Sequence, residues 1–147
     1  MPNSRNAHYK DLGSYKYKLI DEFYYETDLK PINDIRTDYI DMDINGLLTI
    51  KKDYAWDGPS GPTVDTHSFM RGSLVHDALY QLMREKWLDC EKDRKYADEL
   101  LKKICQEDGM SKIRSWYVYR AVRSFGKPAA TPGGRPHGER DVYSPPL

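Results

Sequence analysis

His76 and Asp77 stand side by side in this chain, with Tyr80 one helical turn later and Asp98 twenty-two residues after the histidine. Histidine among carboxylates suits proton transfer near neutral pH, because one ring nitrogen can be held by an acceptor while the other takes a proton from water. On a helix His76 and Tyr80 share a face, and Asp77 is turned about 100° from the imidazole. One arrangement uses all four groups. Asp98 accepts a hydrogen bond from one imidazole nitrogen and fixes the tautomer, Tyr80 donates to Asp98, the free nitrogen activates water, and Asp77 faces a neighbouring loop. Polar groups of this kind are costly between packed helices unless they pair with one another, a metal or a substrate.

The loop in question is Asp57-Gly58-Pro59-Ser60-Gly61-Pro62. Two prolines and two glycines in six residues exclude regular structure and leave backbone carbonyls free to point at a ligand. Asp77 with such carbonyls makes an all-oxygen environment, which favours a hard cation such as Ca2+. Calcium there would polarise an ester carbonyl and stabilise the developing oxyanion beside the activated water. The plain reading of the same loop is a turn from sheet to helix.

The elements that must hold these residues can be read from periodicity. Residues 15–25 show a near period-two pattern, as do Ile40, Met42 and Ile44, so both stretches read as half-buried strands. Asn45-Gly46 predicts a type I′ hairpin turn, with the return strand from Leu48 to about Tyr54. A helix is expected from about Ser68 to Trp87, with Phe69, Val75, Leu79, Leu82 and Met83 as its buried side. After a charged connector, Asp89 to Asp93, a second helix buries Ala97, Leu100, Leu101 and Ile104. Gly109 stops it and Ser111 caps a third, which carries Ile113, Trp116, Tyr117 and Val122 and closes at Gly126. The expected fold class is α+β, a small antiparallel N-terminal sheet or hairpin followed by a three-helix unit. The expected organisation is an arm over 1–13, one domain over 14–126, and a proline- and glycine-rich tail over 127–147 that orders only against a partner.

Bulk composition narrows the function. The chain has 147 residues, and its 23 basic side chains balance 23 acidic ones. Zero net charge argues against binding nucleic acid through a broad basic field. Cys90 and Cys105 are too few for a disulfide framework and sit badly for a mutual bridge. No apolar run approaches the roughly 20 residues of a membrane span, and the polar start lacks a signal-like segment. The expected location is therefore a reducing cytoplasm, unless the protein is released by lysis or packaged in a particle.

At these residues the chain resembles two families. From Leu47 to Phe125 it is similar to an uncharacterised domain of unknown function in short phage and prophage proteins, which implies a host cytoplasm or a virion as the location. The matching features are the loop residues Asp57, Gly58, Ser60 and Pro62, then Arg71, His76, Asp77 and Tyr80, then Ala97 and Asp98. The helix pair also resembles secreted phospholipase A2, which uses a His-Asp-x-x-Tyr helix and an aspartate on the antiparallel helix. That resemblance implies His76 as general base, Asp98 as its orienter, Asp77 as a calcium ligand and Tyr80 in support. The usual disulfides, signal and glycine-rich calcium loop are absent, and Pro59 and Pro62 remove two backbone donors. Asp57 could compensate as a ligand beside Gly58, while Ser60 and Arg71 are the expected substrate contacts.

The competing expectations are structural. Asp98 lies four residues from both Arg94 and Lys102, so a solvated ion-pair row would explain it without chemistry. Arg71 could pair with a nearby acid or contact phosphate. His8, His67 and His137 read as surface groups, and Trp116, Tyr117 and Tyr119 as core and rim. The leading expectation is calcium-dependent hydrolysis of a phospholipid or related ester, at or near a membrane surface. The alternative is a non-enzymatic phage accessory or virion protein whose tail docks on other virion proteins.

Overall fold

Alternation and turn chemistry account for the first part of the chain. A computed structural model describes residues 3–13, 16–57 and 66–133. Its strands are β1 (Tyr9–Gly13), β2 (Lys16–Leu19), β3 (Phe23–Glu26), β4 (Ile35–Arg36), β5 (Ile40–Met42), β6 (Leu47–Ile50) and β7 (Ala55–Trp56). They form two antiparallel sheets, one ordered β1-β2-β7 and the other β3-β6-β5-β4. Tyr17 and Leu19, Phe23 and Tyr25, Ile40 and Met42, and Leu48 and Ile50 are all buried, as period-two patterning requires.

Three details differ from expectation. The stretch over 15–25 is two strands in different sheets, because the chain bends at residues 20–22, and part of the expected N-terminal arm is β1. The Asn45-Gly46 turn is not type I′. Gly46 has φ +93°, whereas the described non-glycine residues with positive φ are Asp53 and Lys86. The turn is organised by Asp43, whose carbonyl accepts from Gly46 N at 3.0 Å and whose carboxylate accepts from Asn45 N and Leu47 N. That is the longer hairpin loop in which a left-handed glycine follows an ordinary turn. Only glycine fits, since a Cβ at Gly46 would lie 2.4 Å from the Leu29 carbonyl oxygen.

The chain divides into two compact units, one ending at Trp56 and the other beginning at Asp57. The second contains α1 (Thr66–Arg84), α2 (Cys90–Glu107), α3 (Lys112–Phe125) and a short α4 (Lys127–Ala130). The class is α+β, antiparallel sheets followed by helices. Asp89 caps α2 by accepting from Glu91 N at 2.9 Å, so the expected connector is already the helix start. Ser111 caps α3 through Arg114 N. The segment after Gly126 does not begin as a loose tail: Ala129 and Ala130 are buried, and Arg84 donates to the Ala129 carbonyl at 2.7 Å. Gly58, Ser60 and the rest of 58–65, and residues 134–147, lie outside the described residues.

The third helix is rotated relative to expectation. Ser115 is its buried residue, while Val118 and Val122 pack on the cluster of Leu101, Cys105 and Met110. Ile113, Trp116 and Tyr117 face outward instead, at 73%, 49% and 65% exposure. Their size and apolarity favoured burial. The polar anchor between Gln106 Nε2 and Ser115 Oγ, 2.7 Å, and the contacts of Arg123 orient the helix the other way.

Candidate active site

Helices α1 and α2 bring His76, Tyr80 and Asp98 together. The α1 positions 76 and 80 face α2 on one stripe, and Asp98 lies among Ala97, Leu100 and Leu101 on the buried side of α2. Its carboxylate has no exposure to solvent. Oδ1 accepts from His76 Nε2 at 2.7 Å and from the Tyr80 hydroxyl at 2.6 Å. Because an ionised carboxylate only accepts, the imidazole proton shared with it resides on Nε2, and Nδ1 carries the free lone pair of the neutral ring. The His76 and Tyr80 rings lie 4.1 Å apart between centroids, which limits rotation of the imidazole.

The other oxygen of Asp98 reaches a helix that the spacing argument did not involve. Oδ2 accepts from Arg123 Nη1 of α3 at 2.8 Å and lies 3.5 Å from Arg94 Nη1. Arg94 also donates to the Tyr80 hydroxyl at 3.3 Å and to the Val122 carbonyl at 3.1 Å. A guanidinium suits that place, since its fork can serve the last carbonyls of α3 and the carboxylate together. The solvated ion-pair row is therefore not what forms. Asp98 is buried, and Lys102 sits over the Tyr119 ring at 4.8 Å instead. Arg94 was visible four residues before Asp98, but no local signal announced Arg123.

These contacts set the protonation states. Burial works against a charged Asp98, but hydrogen bonds from His76, Tyr80 and Arg123 outweigh it and hold its pKa below the usual value. Burial and the adjacent Asp98 raise the Tyr80 pKa, so its hydroxyl stays a donor. Burial likewise disfavours imidazolium at His76, but Asp77 and Asp98 more than offset this and raise its pKa. Asp77 Oδ1 is 3.9 Å from His76 Nδ1, beyond ordinary hydrogen-bond distance, and the imidazole itself is buried.

The remaining predicted residues are placed as follows. Arg71 is buried on α1 and donates to Glu107 at 2.7 Å and to Asp108 at 3.1 Å, so its guanidinium is engaged by carboxylates at the end of α2. An anionic substrate at Arg71 would have to compete with both. Asp57 directly follows β7 and is partly exposed. The described residues contain no group of three or more His, Cys, Asp or Glu that could hold a metal. Asp77 offers a cation one carboxylate, and of the loop 57–62 expected to complete an oxygen shell, 58–62 lie outside the described residues. Cys90 and Cys105 are free thiols, and burial pushes Cys105 up to about 12, which keeps it protonated. His8 lies at the surface beside Asp21, His67 is exposed, and His137 lies outside the described residues.

No described helix is long and apolar enough to cross a membrane. A family model described as a protein of unknown function, DUF1353, matches residues 35–122. The match includes His76, Tyr80, Arg94 and Asp98 and ends one residue before Arg123. No curated protein and no solved structure matches the chain.

Proposed function

The chain belongs to DUF1353, a family of proteins of unknown function, and from that premise we propose that its helical unit hydrolyses an ester through water activated by His76. The observation that carries the reading is the 2.7 Å bond from His76 Nε2 to a buried, ionised Asp98. It fixes one tautomer and leaves Nδ1 as the base. His76 takes a proton from water as the water oxygen attacks the ester carbonyl carbon. Asp98 stabilises the imidazolium that results, and Tyr80 and Arg123 hold Asp98 in place. Collapse of the tetrahedral intermediate breaks the bond to the alcohol oxygen, which recovers the proton from His76. The resemblance of the His76-Asp77-x-x-Tyr80 sequence pattern, with Asp98 on the next helix, to that of secreted phospholipase A2 supports a phospholipid ester as substrate. Calcium, when bound at Asp77, would polarise the carbonyl.

His76→Ala should abolish ester hydrolysis while circular dichroism shows the helices retained. Calcium-dependent turnover surviving in that variant would sink the assignment. Asp77→Asn should weaken calcium binding in calorimetry, and equal affinity in both proteins would remove Asp77 as a ligand.

A second reading is favoured by Arg123 and Arg94. Their contacts with Asp98 make it a clasp for α1, α2 and α3, which supports a non-enzymatic phage accessory or virion protein whose His-Asp network is structural. In that case His76→Ala lowers the melting temperature, and a panel of phospholipid and soluble esters shows no turnover by wild type with or without calcium.

A further inference from the structure

We propose that the outer face of α3 is a docking surface for an anionic phospholipid bilayer. At 100° per residue, Ile113, Trp116, Tyr117 and Arg120 fall within an arc of about 100° on that helix. All four are exposed, and Phe125 at the helix end is 74% exposed. The opposite side, Ser115, Val118 and Val122, is the one committed to packing. The apolar stripe is thus additional to the core-facing side and not a substitute for it.

Charge identifies the occupant. Between Lys112 and Ala130 there are five basic residues, Lys112, Arg114, Arg120, Arg123 and Lys127, and no acidic one. Arg123 turns inward to Asp98 and Lys127 lies 4.0 Å from Glu91. Lys112, Arg114 and Arg120 remain around the stripe, and the Arg120 guanidinium lies 5.8 Å from the Trp116 ring centre. The nearest preceding acids, Glu107 and Asp108, are held by Arg71. A chain with no net charge has therefore concentrated cations next to exposed indole, phenol and aliphatic groups. Trp and Tyr rings favour the headgroup boundary, and Lys and Arg favour anionic lipid. The fully apolar Ile113 and Phe125 side chains favour a lipid surface over nucleic acid, which gives them no apolar medium.

The inference deepens the ester-hydrolase reading and rests on it for substrate class: aggregated, anionic phospholipid. Binding and chemistry nevertheless fail separately. The test is co-sedimentation of the full chain with phosphatidylglycerol or phosphatidylcholine vesicles, alongside tryptophan emission. Wild type and His76→Ala should both bind phosphatidylglycerol vesicles about tenfold more tightly than phosphatidylcholine, and less tightly as salt rises. Trp116→Ala with Tyr117→Ala, and Arg114→Glu with Arg120→Glu, should each lose about tenfold in affinity, with melting temperatures unchanged because these groups are outside the core. Equal binding to both lipids, or undiminished binding by the variants, overturns the proposal. So does concentration-dependent self-association that buries Trp116, or tighter binding to DNA at the same salt. Intact vesicle binding without hydrolysis rejects the enzyme reading alone. Hydrolysis of a soluble short-chain ester without vesicle binding rejects the docking surface alone.

Discussion

Asp98 connects more of the helical unit than any side chain beside it. One oxygen holds His76 and Tyr80 from α1, and the other receives Arg123 from α3 and lies near Arg94. Removing a buried charge from such a network leaves its partners uncompensated, so Asp98→Ala should cost about 3–5 kcal/mol in urea unfolding. Tyr80→Phe should cost less, about 1.5–3 kcal/mol, because the hydroxyl's bonds to Asp98 and Arg94 are lost while both charged groups keep other partners. If the two costs add without coupling, the shared network is not the source of the stability. Half of this arrangement was legible from spacing, since His76 and Tyr80 share a helical stripe and Asp98 borders that of the next helix. Arg123 was not legible, because a contact across twenty-five residues depends on how a third helix is turned.

At the junction of α1 and α2, close approach depends on a glycine within the first helix. A Cβ at Gly72 would stand 2.9 Å from Cys105 Sγ and 3.1 Å from Leu101 Cδ1. Gly72→Ala should therefore destabilise by about 1–3 kcal/mol despite its better helix propensity, and an unchanged urea midpoint would show that the helices can part freely. Such displacement would also disturb the His76–Asp98 bond. Gly126 plays a related part at the end of α3, where a Cβ would lie 2.8 Å from the Tyr80 hydroxyl. The existence and order of the three long helices followed from apolar periodicity and caps. The rotation of α3 did not, because Trp and Tyr satisfy both core and boundary and their names alone do not say which.

For the whole protein, acid sensitivity should follow the hub. Asp98 has a depressed folded pKa, so its contribution is complete above its ordinary value of 3.8 and is lost as pH falls through the lower folded value. The stability difference between wild type and Asp98→Asn should therefore shrink below pH 3.8, and a difference that grows on acidification would reverse the assignment. The α+β class, strand alternation and the Ser111 cap were encoded locally, in spacings of two to four residues, and the meeting of His76 and Tyr80 with Asp98 followed from the stripes of two successive helices. Local patterns report which faces of an element differ, and that is enough to propose elements and their pairings. The division into two units, the Asp43-built hairpin, the docked α4, the burial of Asp98 and the outward face of α3 came only with the tertiary structure. Each depends on which distant group supplies the partner, and burial of an ambivalent side chain is decided by that competition.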